Sequence, residues 1–154
     1  MFLTGIIQTN YIAWPDYDDE AFEHPDKRIM DPFSKICVAT ARQLFRMVRG
    51  EMLLPERVGI ALITGTGPLT TIREFHSLVA QKGYIGINPS KFPNIMLSTA
   101  LCRITSDMKV TGPSISFFSS KDPAPALRYG EIQIRKKRCD AMMILHVNEG
   151  EGCR

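Results

Sequence analysis

The chain has 154 residues, 44% hydrophobic and 23% charged, which is enough for one ordinary globular core and close to the soluble average. Lys and Arg number 19 against 16 Asp and Glu, and the resulting formal charge of +3 is too small and too dispersed to point to a nucleic-acid partner. No apolar run reaches the roughly 18 uncharged residues of a membrane-spanning helix, and no basic start followed by an apolar stretch marks the N-terminus. Cys37, Cys102, Cys139 and Cys153 lack CxxC spacing, so a cytoplasmic protein with reduced thiols and neither a disulfide framework nor a zinc site is the expectation.

Residues 1–10, rich in Ile and Thr, read as a first strand. Residues 11–32 mix aromatics, including Trp14, with acids and prolines and follow neither hydrophobic period, which predicts an ordered loop. Ser34 is a fitting cap for a helix after Pro32, because Ile36, Val38, Ala39, Leu44, Phe45 and Val48 recur mostly at helical spacing and Gly50 can end it. The continuous apolar run at 57–66 has strand length, as a strand buried on both faces of a parallel sheet would. Pro68 suits the first turn of a second helix whose core face is Leu69, Ile72, Phe75, Leu78 and Val79, with Gly83 closing it.

A loop at 84–94 leads to a third helix at about 95–108, then a turn at Thr111-Gly112-Pro113 and a strand at 114–120. Asp122 and Pro123 form a good N-cap and N1 pair for a fourth helix running to Arg138 with a basic tail, favoured by the helix dipole. A last strand at 141–147 gives way to a polar tail expected to fray. Strands alternating with helices predict a single α/β domain over 1–154, three-layered, with at least four strands in a mostly parallel sheet and helices on both faces.

Four stretches, 31–45, 56–79, 92–120 and 139–149, together resemble the N-terminal half of a β-ketoacyl synthase, the thiolase-fold condensing enzyme of fatty-acid and polyketide synthesis. The third stretch is the most specific, with Pro93-Asn94, a helix, then Thr111-Gly112-Pro113-Ser114 before a buried strand. The resemblance covers nearly the whole chain, yet it reaches only the first half of such an enzyme. It implies a nucleophilic cysteine at the start of the helix after residue 118. The sequence there reads Ser119, Ser120, Lys121, so the nucleophile's position is vacated, and the family's histidine pair belongs to the absent half. No catalytic residue is therefore assigned. The resemblance implies a catalytically inactive ketosynthase-like protein, a partner or scaffold without cofactor or metal, as chain-length factors are. The alternatives are an acyltransferase or hydrolase using Ser119 or Ser120, and a ligand-binding or regulatory protein on the same fold.

Helix capping alone explains Ser120 and Asp122, and none of His24, His76 and His146 is placed near Ser119 or Ser120 by local spacing, which favours a helix-entry role for the two serines over catalysis. Lys121 beside Asp122 is expected to be a solvated or paired charge rather than a Schiff-base amine. Gly65-Thr66-Gly67 resembles a fragment of a phosphate-binding loop, but the rest of such a motif is missing. Arg128, Arg135, Lys136, Lys137 and Arg138 are candidate contacts for an acidic acyl carrier protein, against the plainer reading of ordinary helix-end charges. By the resemblance, Ser114, Ile115, Ser116, Phe117 and Phe118 are the dimer interface, pairing across a two-fold axis in a homodimer or with a full ketosynthase. Neither nucleic acid nor membrane is an expected partner. Without the second half, helices such as 95–108 or 123–138 have to be more polar than usual or be covered by another chain.

Overall fold

The computed structural model describes residues 18–48 and 54–149. The predicted first strand at 1–10, Trp14, the helix stop at Gly50 and Cys153 lie outside the described residues. In chain order the elements are α1 (Pro32–Val48), β1 (Val58–Thr64), α2 (Leu69–Lys82), α3 (Leu97–Met108), β2 (Ser114–Phe118), α4 (Ala124–Arg135) and β3 (Ala141–His146). Short 3-10 turns at Tyr84–Gly86 and Pro89–Ile95 join α2 to α3.

The described strands form one parallel sheet in the order β2-β1-β3, with Leu62 in register with Ser116 and with Leu145. All seven residues of β1 are buried, which is why its sequence is a continuous apolar run without alternation. Val58, Ile60 and Leu62 point to one face, where α1 and α3 bring Phe33, Val38, Ala41, Ala100 and Ile104 into the main core. Ala61 and Ile63 point to the other, where α4 contributes only Ala126 as a buried apolar side chain and Ile115, Phe117, Met142 and Ile144 stay partly open. This is the expected three-layer α/β arrangement, with one face thickly covered and the other thinly.

Four local expectations change. The first helix starts earlier than Ser34 implies, because Asp31 is its cap: the Asp31 carboxylate accepts the Ser34 N–H at 3.2 Å, with Pro32 in the first turn. In α2 none of the expected core positions Leu69, Ile72, Phe75, Leu78 and Val79 is buried. Its apolar face leans on the following turns through an edge contact of Phe75 with Phe92, since the helix leaves the sheet instead of lying across it. α4 ends at Arg135, and the chain turns at Lys137 with φ 56°, so Lys136, Lys137 and Arg138 form its C-terminal turn rather than a continued helix. The tail after β3 is not frayed at its start, because Asn148 and Glu149 are hydrogen-bonded into the fold.

Of the two helices expected to need cover, α3 turns out polar on its outer side, exposing Ser98, Cys102 and Ser106. α4 keeps Leu127 and Ile132 exposed, and Phe118 at the end of β2 is 74% exposed. No described helix is long and apolar enough to cross a membrane.

Candidate functional site

The carboxyl ends of parallel strands are where α/β folds place their chemistry, because the loops there are free to vary while helix N-termini converge. Here that edge is built by the exits of β1, β2 and β3. Thr64, fully buried at the end of β1, accepts the N–H groups of Thr66 and Gly67 on its hydroxyl at 3.2 and 2.8 Å. The Gly65 N–H donates to Asn148 Oδ1 at 2.7 Å, the Glu149 N–H donates to Thr66 Oγ1 at 2.8 Å, and the Thr70 N–H donates to Glu149 Oε2 at 2.7 Å. The turn amides that a phosphate would need are thus held by the chain's own side chains. That removes the phosphate-loop reading of Gly65-Thr66-Gly67 and assigns the motif to joining β1 and β3.

The corner at Ser119, Ser120 and Lys121 lies beside this turn. The Ser119 N–H donates to Thr64 C=O at 2.8 Å, and a Cβ placed on Gly65 would stand 2.5 Å from Ser120 Cα, so the two corners pack backbone to backbone. The Ser119 hydroxyl donates to the Asp122 C=O at 2.9 Å and lies 3.2 Å from the Asp122 N–H, while Asp122 Oδ1 accepts the Ala124 N–H at 2.8 Å. Ser119 and Asp122 thus close the turn that opens α4, with Ser119 in the place that the capping reading gave to Ser120. Lys121 is exposed at its tip.

His146, which local spacing left unplaced, comes to the same sheet edge at the end of β3. It lies two strands from Ser119, on the order of 10 Å away by strand spacing. Its Nε2 is 3.1 Å from Asn148 Nδ2 and no hydrogen bond joins it to Ser119. The edge therefore holds hydroxyls, an amine and an imidazole without a nucleophile–base pair. Asn148 and Glu149 are the residues that sequence reasoning missed; their role depends on β3 lying beside β1, which no local pattern encodes.

Beneath the edge, Asp31 and Glu149 are acids in an apolar setting. Asp31 Oδ1 and Glu149 Oε1 are buried without a hydrogen-bond partner among the described residues. Burial pushes the Asp31 carboxyl up against the opposing bonds from Ser34, and burial together with the nearby Asp31 charge pushes Glu149 up against its bond from Thr70. Burial pushes the Cys37 thiol well up and the Cys139 thiol up, so neither is a poised nucleophile. A carboxyl raised in the folded state contributes stability that is present at low pH and lost as pH rises through its folded value. Asp31→Asn, which keeps the cap and removes the charge, is expected to raise folding stability near pH 7 by about 1 kcal/mol, roughly 2–4 °C in the thermal midpoint, and to have little effect near pH 4. Melting curves at the two pH values check this, and an offset independent of pH would refute it.

The basic residues sit elsewhere. α4 runs back from the corner, and its 12 residues carry the chain about 18 Å, so Arg135, Lys136, Lys137 and Arg138 lie at the opposite end of the sheet from Ser119. Arg128, in the first half of α4, lies seven residues before Arg135 and so on the same helix face, with exposed Ile132 between them. Arg135 pairs with Glu131 at 2.6 Å and Arg138 donates to Gln133 Oε1 at 3.3 Å, while Lys136 and Lys137 are exposed. The predicted patch is thus a basic end with one outlying Arg.

No protein-family profile and no curated protein matches the chain. Among solved structures it is similar to a type II polyketide-synthase complex of an acyl-carrier protein with its ketosynthase bound to a hexaketide, with TM-score 0.74 and 18% identity over 90% of this chain and 41% of that one. It is also similar to the ishigamide ketosynthase/chain length factor, with TM-score 0.67 and 17% identity over 81% of this chain and 36% of that one. The fold is therefore that of a ketosynthase-like, thiolase-type half, and the chain spans less than half the length of the solved chains it matches.

Proposed function

We propose that this chain is a polyketide- or fatty-acid-assembly subunit that keeps the ketosynthase framework without its condensing chemistry and acts as a partner or scaffold. The corner between β2 and α4 carries this reading: where the resemblance implies a cysteine, the chain has Ser119, Ser120 and Lys121, and the Ser119 hydroxyl is spent on closing the turn with Asp122. A hydroxyl without a neighbouring base is a poor substitute for a helix-activated thiolate. The serine acyltransferase or hydrolase reading lacks that base. Partnership with an acyl carrier protein or a ketosynthase is supported by the company of the solved neighbours, one bound to its carrier protein and one a ketosynthase/chain length factor, and by the basic end of α4.

Incubation with acyl-coenzyme A and acyl-carrier thioesters is expected to leave no acyl adduct at Ser119, Ser120 or Lys121 by intact-mass and peptide analysis. An adduct at any of the three would overturn the proposal. In the same preparation, an immobilised acyl carrier protein is expected to retain the chain and to lose most of it when Arg135, Lys136 and Lys137 are replaced by Ala.

A further inference from the structure

We propose that Asn148 and Glu149 form a strap over the turn after β1 that is closed in acid, with Asp31 and Glu149 as the carboxyl groups that set the pH at which it opens. Three contacts make the strap. Asn148 Oδ1 accepts the Gly65 N–H at 2.7 Å, the Glu149 N–H donates to Thr66 Oγ1 at 2.8 Å, and Glu149 Oε2 accepts the Thr70 N–H at 2.7 Å in the first turn of α2. Two of the three pass through Glu149. Its other carboxylate oxygen, Oε1, is buried without a partner among the described residues. Asp31, only 4% exposed, repeats the pattern from the start of α1: Oδ2 accepts the Ser34 N–H, and Oδ1 is buried without a partner. An oxygen withdrawn from water with no donor facing it disfavours the ionised carboxylate, and a second such acid nearby disfavours it further.

The two acids share one region of the interior. Cys37, fully buried on α1, has its thiol pushed up first by burial and then by the charges of both Asp31 and Glu149. From α2, the bonds from Thr70 and, more weakly, the Arg73 charge favour the ionised form of Glu149, but burial, reinforced by Asp31, outweighs them and leaves its carboxyl raised. His146 on the same stretch is exposed, and its ring meets Asn148 instead of the acids. Because both carboxyl groups are raised in the folded chain, the closed strap is favoured at low pH and loses that support as pH rises through their folded values. Asp31 is tied into the helix start as its cap, whereas Glu149 is half-buried and can turn to water when both are ionised. Its departure breaks two of the three contacts and uncovers the Thr66 hydroxyl and the Thr70 N–H at the carboxyl edge of the sheet, where α/β folds place their chemistry. The strap thus ties access to that edge to pH.

Amide hydrogen exchange on the full chain, corrected for the intrinsic pH dependence of exchange, reads the strap residue by residue. Between pH 5 and pH 8 the protection of the Thr70 and Glu149 amides is expected to fall about tenfold, and roughly threefold further than that of Ile60, whose amide is bonded within the sheet to Pro113. Glu149→Gln keeps an oxygen for Thr70 and carries no charge, so the excess loss at Thr70 over Ile60 is expected to vanish. Asp31→Asn removes the opposing charge and is expected to leave Thr70 about threefold better protected at pH 8 than in the unaltered chain. A loss at Thr70 no greater than that at Ile60, an excess loss that persists in Glu149→Gln, or no gain at Thr70 in Asp31→Asn would overturn the strap. None of these readouts depends on a carrier protein or on acyl transfer.

Discussion

Gly112→Ala is expected to cost at least ~3 kcal/mol of folding stability and to lower the thermal midpoint by roughly 6–12 °C, or to prevent folding altogether. A Cβ at residue 112 would stand 2.1 Å from the Val58 carbonyl oxygen and 2.6 Å from its carbon, and neither can rotate away as a side chain could. The contact is reciprocal. A Cβ at Gly59 would meet the Pro113 oxygen at 2.7 Å, and that same oxygen accepts the Ile60 N–H at 2.9 Å, the first rung joining β2 to β1. Separating the strands enough for a methyl group would break this rung and open the main core around Val58 and Ile60. Gly67→Ala is the matched comparison, since Gly67 has φ 57° with nothing within 4 Å of its Cβ position. It should lose only about 1 kcal/mol, the backbone cost of a left-handed residue. Equal midpoints for Gly112→Ala and the unaltered chain would refute the close-approach argument.

The same glycine shows how far the sequence could be read. Thr111-Gly112-Pro113 was legible as a turn before a strand, because glycine and proline punctuate chains locally, but its pressure on Val58 arises only once β1 and β2 lie side by side. The buried run of β1 was legible for the opposite reason: a strand covered on both faces must be apolar at every position, whatever covers it. α2 carried the amphipathic pattern of a core helix and buries none of it, since periodicity reports that a face is apolar and not what it meets. At the candidate site, the capping role of Asp122 followed from its place before Pro123, whereas that of Ser119, one residue before the serine the sequence pointed to, did not. The clamp of Asn148 and Glu149 on the Gly65-Thr66-Gly67 turn did not, because residues more than 80 positions apart meet there through strand order.

A dimer formed by β2 against its own copy would dissociate about 100-fold more readily in Ser116→Pro, while the protomer keeps its fold. The hydrogen-bond register makes this separation of effects available. Ile60 N–H donates to Pro113 C=O and Ser119 N–H donates to Thr64 C=O, so in a parallel ladder the amides of Ile115, Phe117 and Ser119 face β1. Those of Ser114, Ser116 and Phe118 therefore face outward, along an edge of the described sheet that pairs with β1 on one side only. Proline at 116 removes an outward donor and spares the ladder to β1, a substitution that edge strands tolerate. Across a two-fold axis the donor is lost twice and its partner carbonyls are stranded, for which about 3 kcal/mol is a fair sum. Phe118, exposed in the protomer at the end of this strand, and Leu127 on α4 supply apolar surface that such pairing can cover. Sedimentation of both chains across micromolar concentrations, with melting curves alongside, reads the two effects separately. A sharp monomer for the unaltered chain would end the proposal of self-pairing and leave the open edge to a full-length ketosynthase, for which the same Ser116→Pro chain is the test of binding.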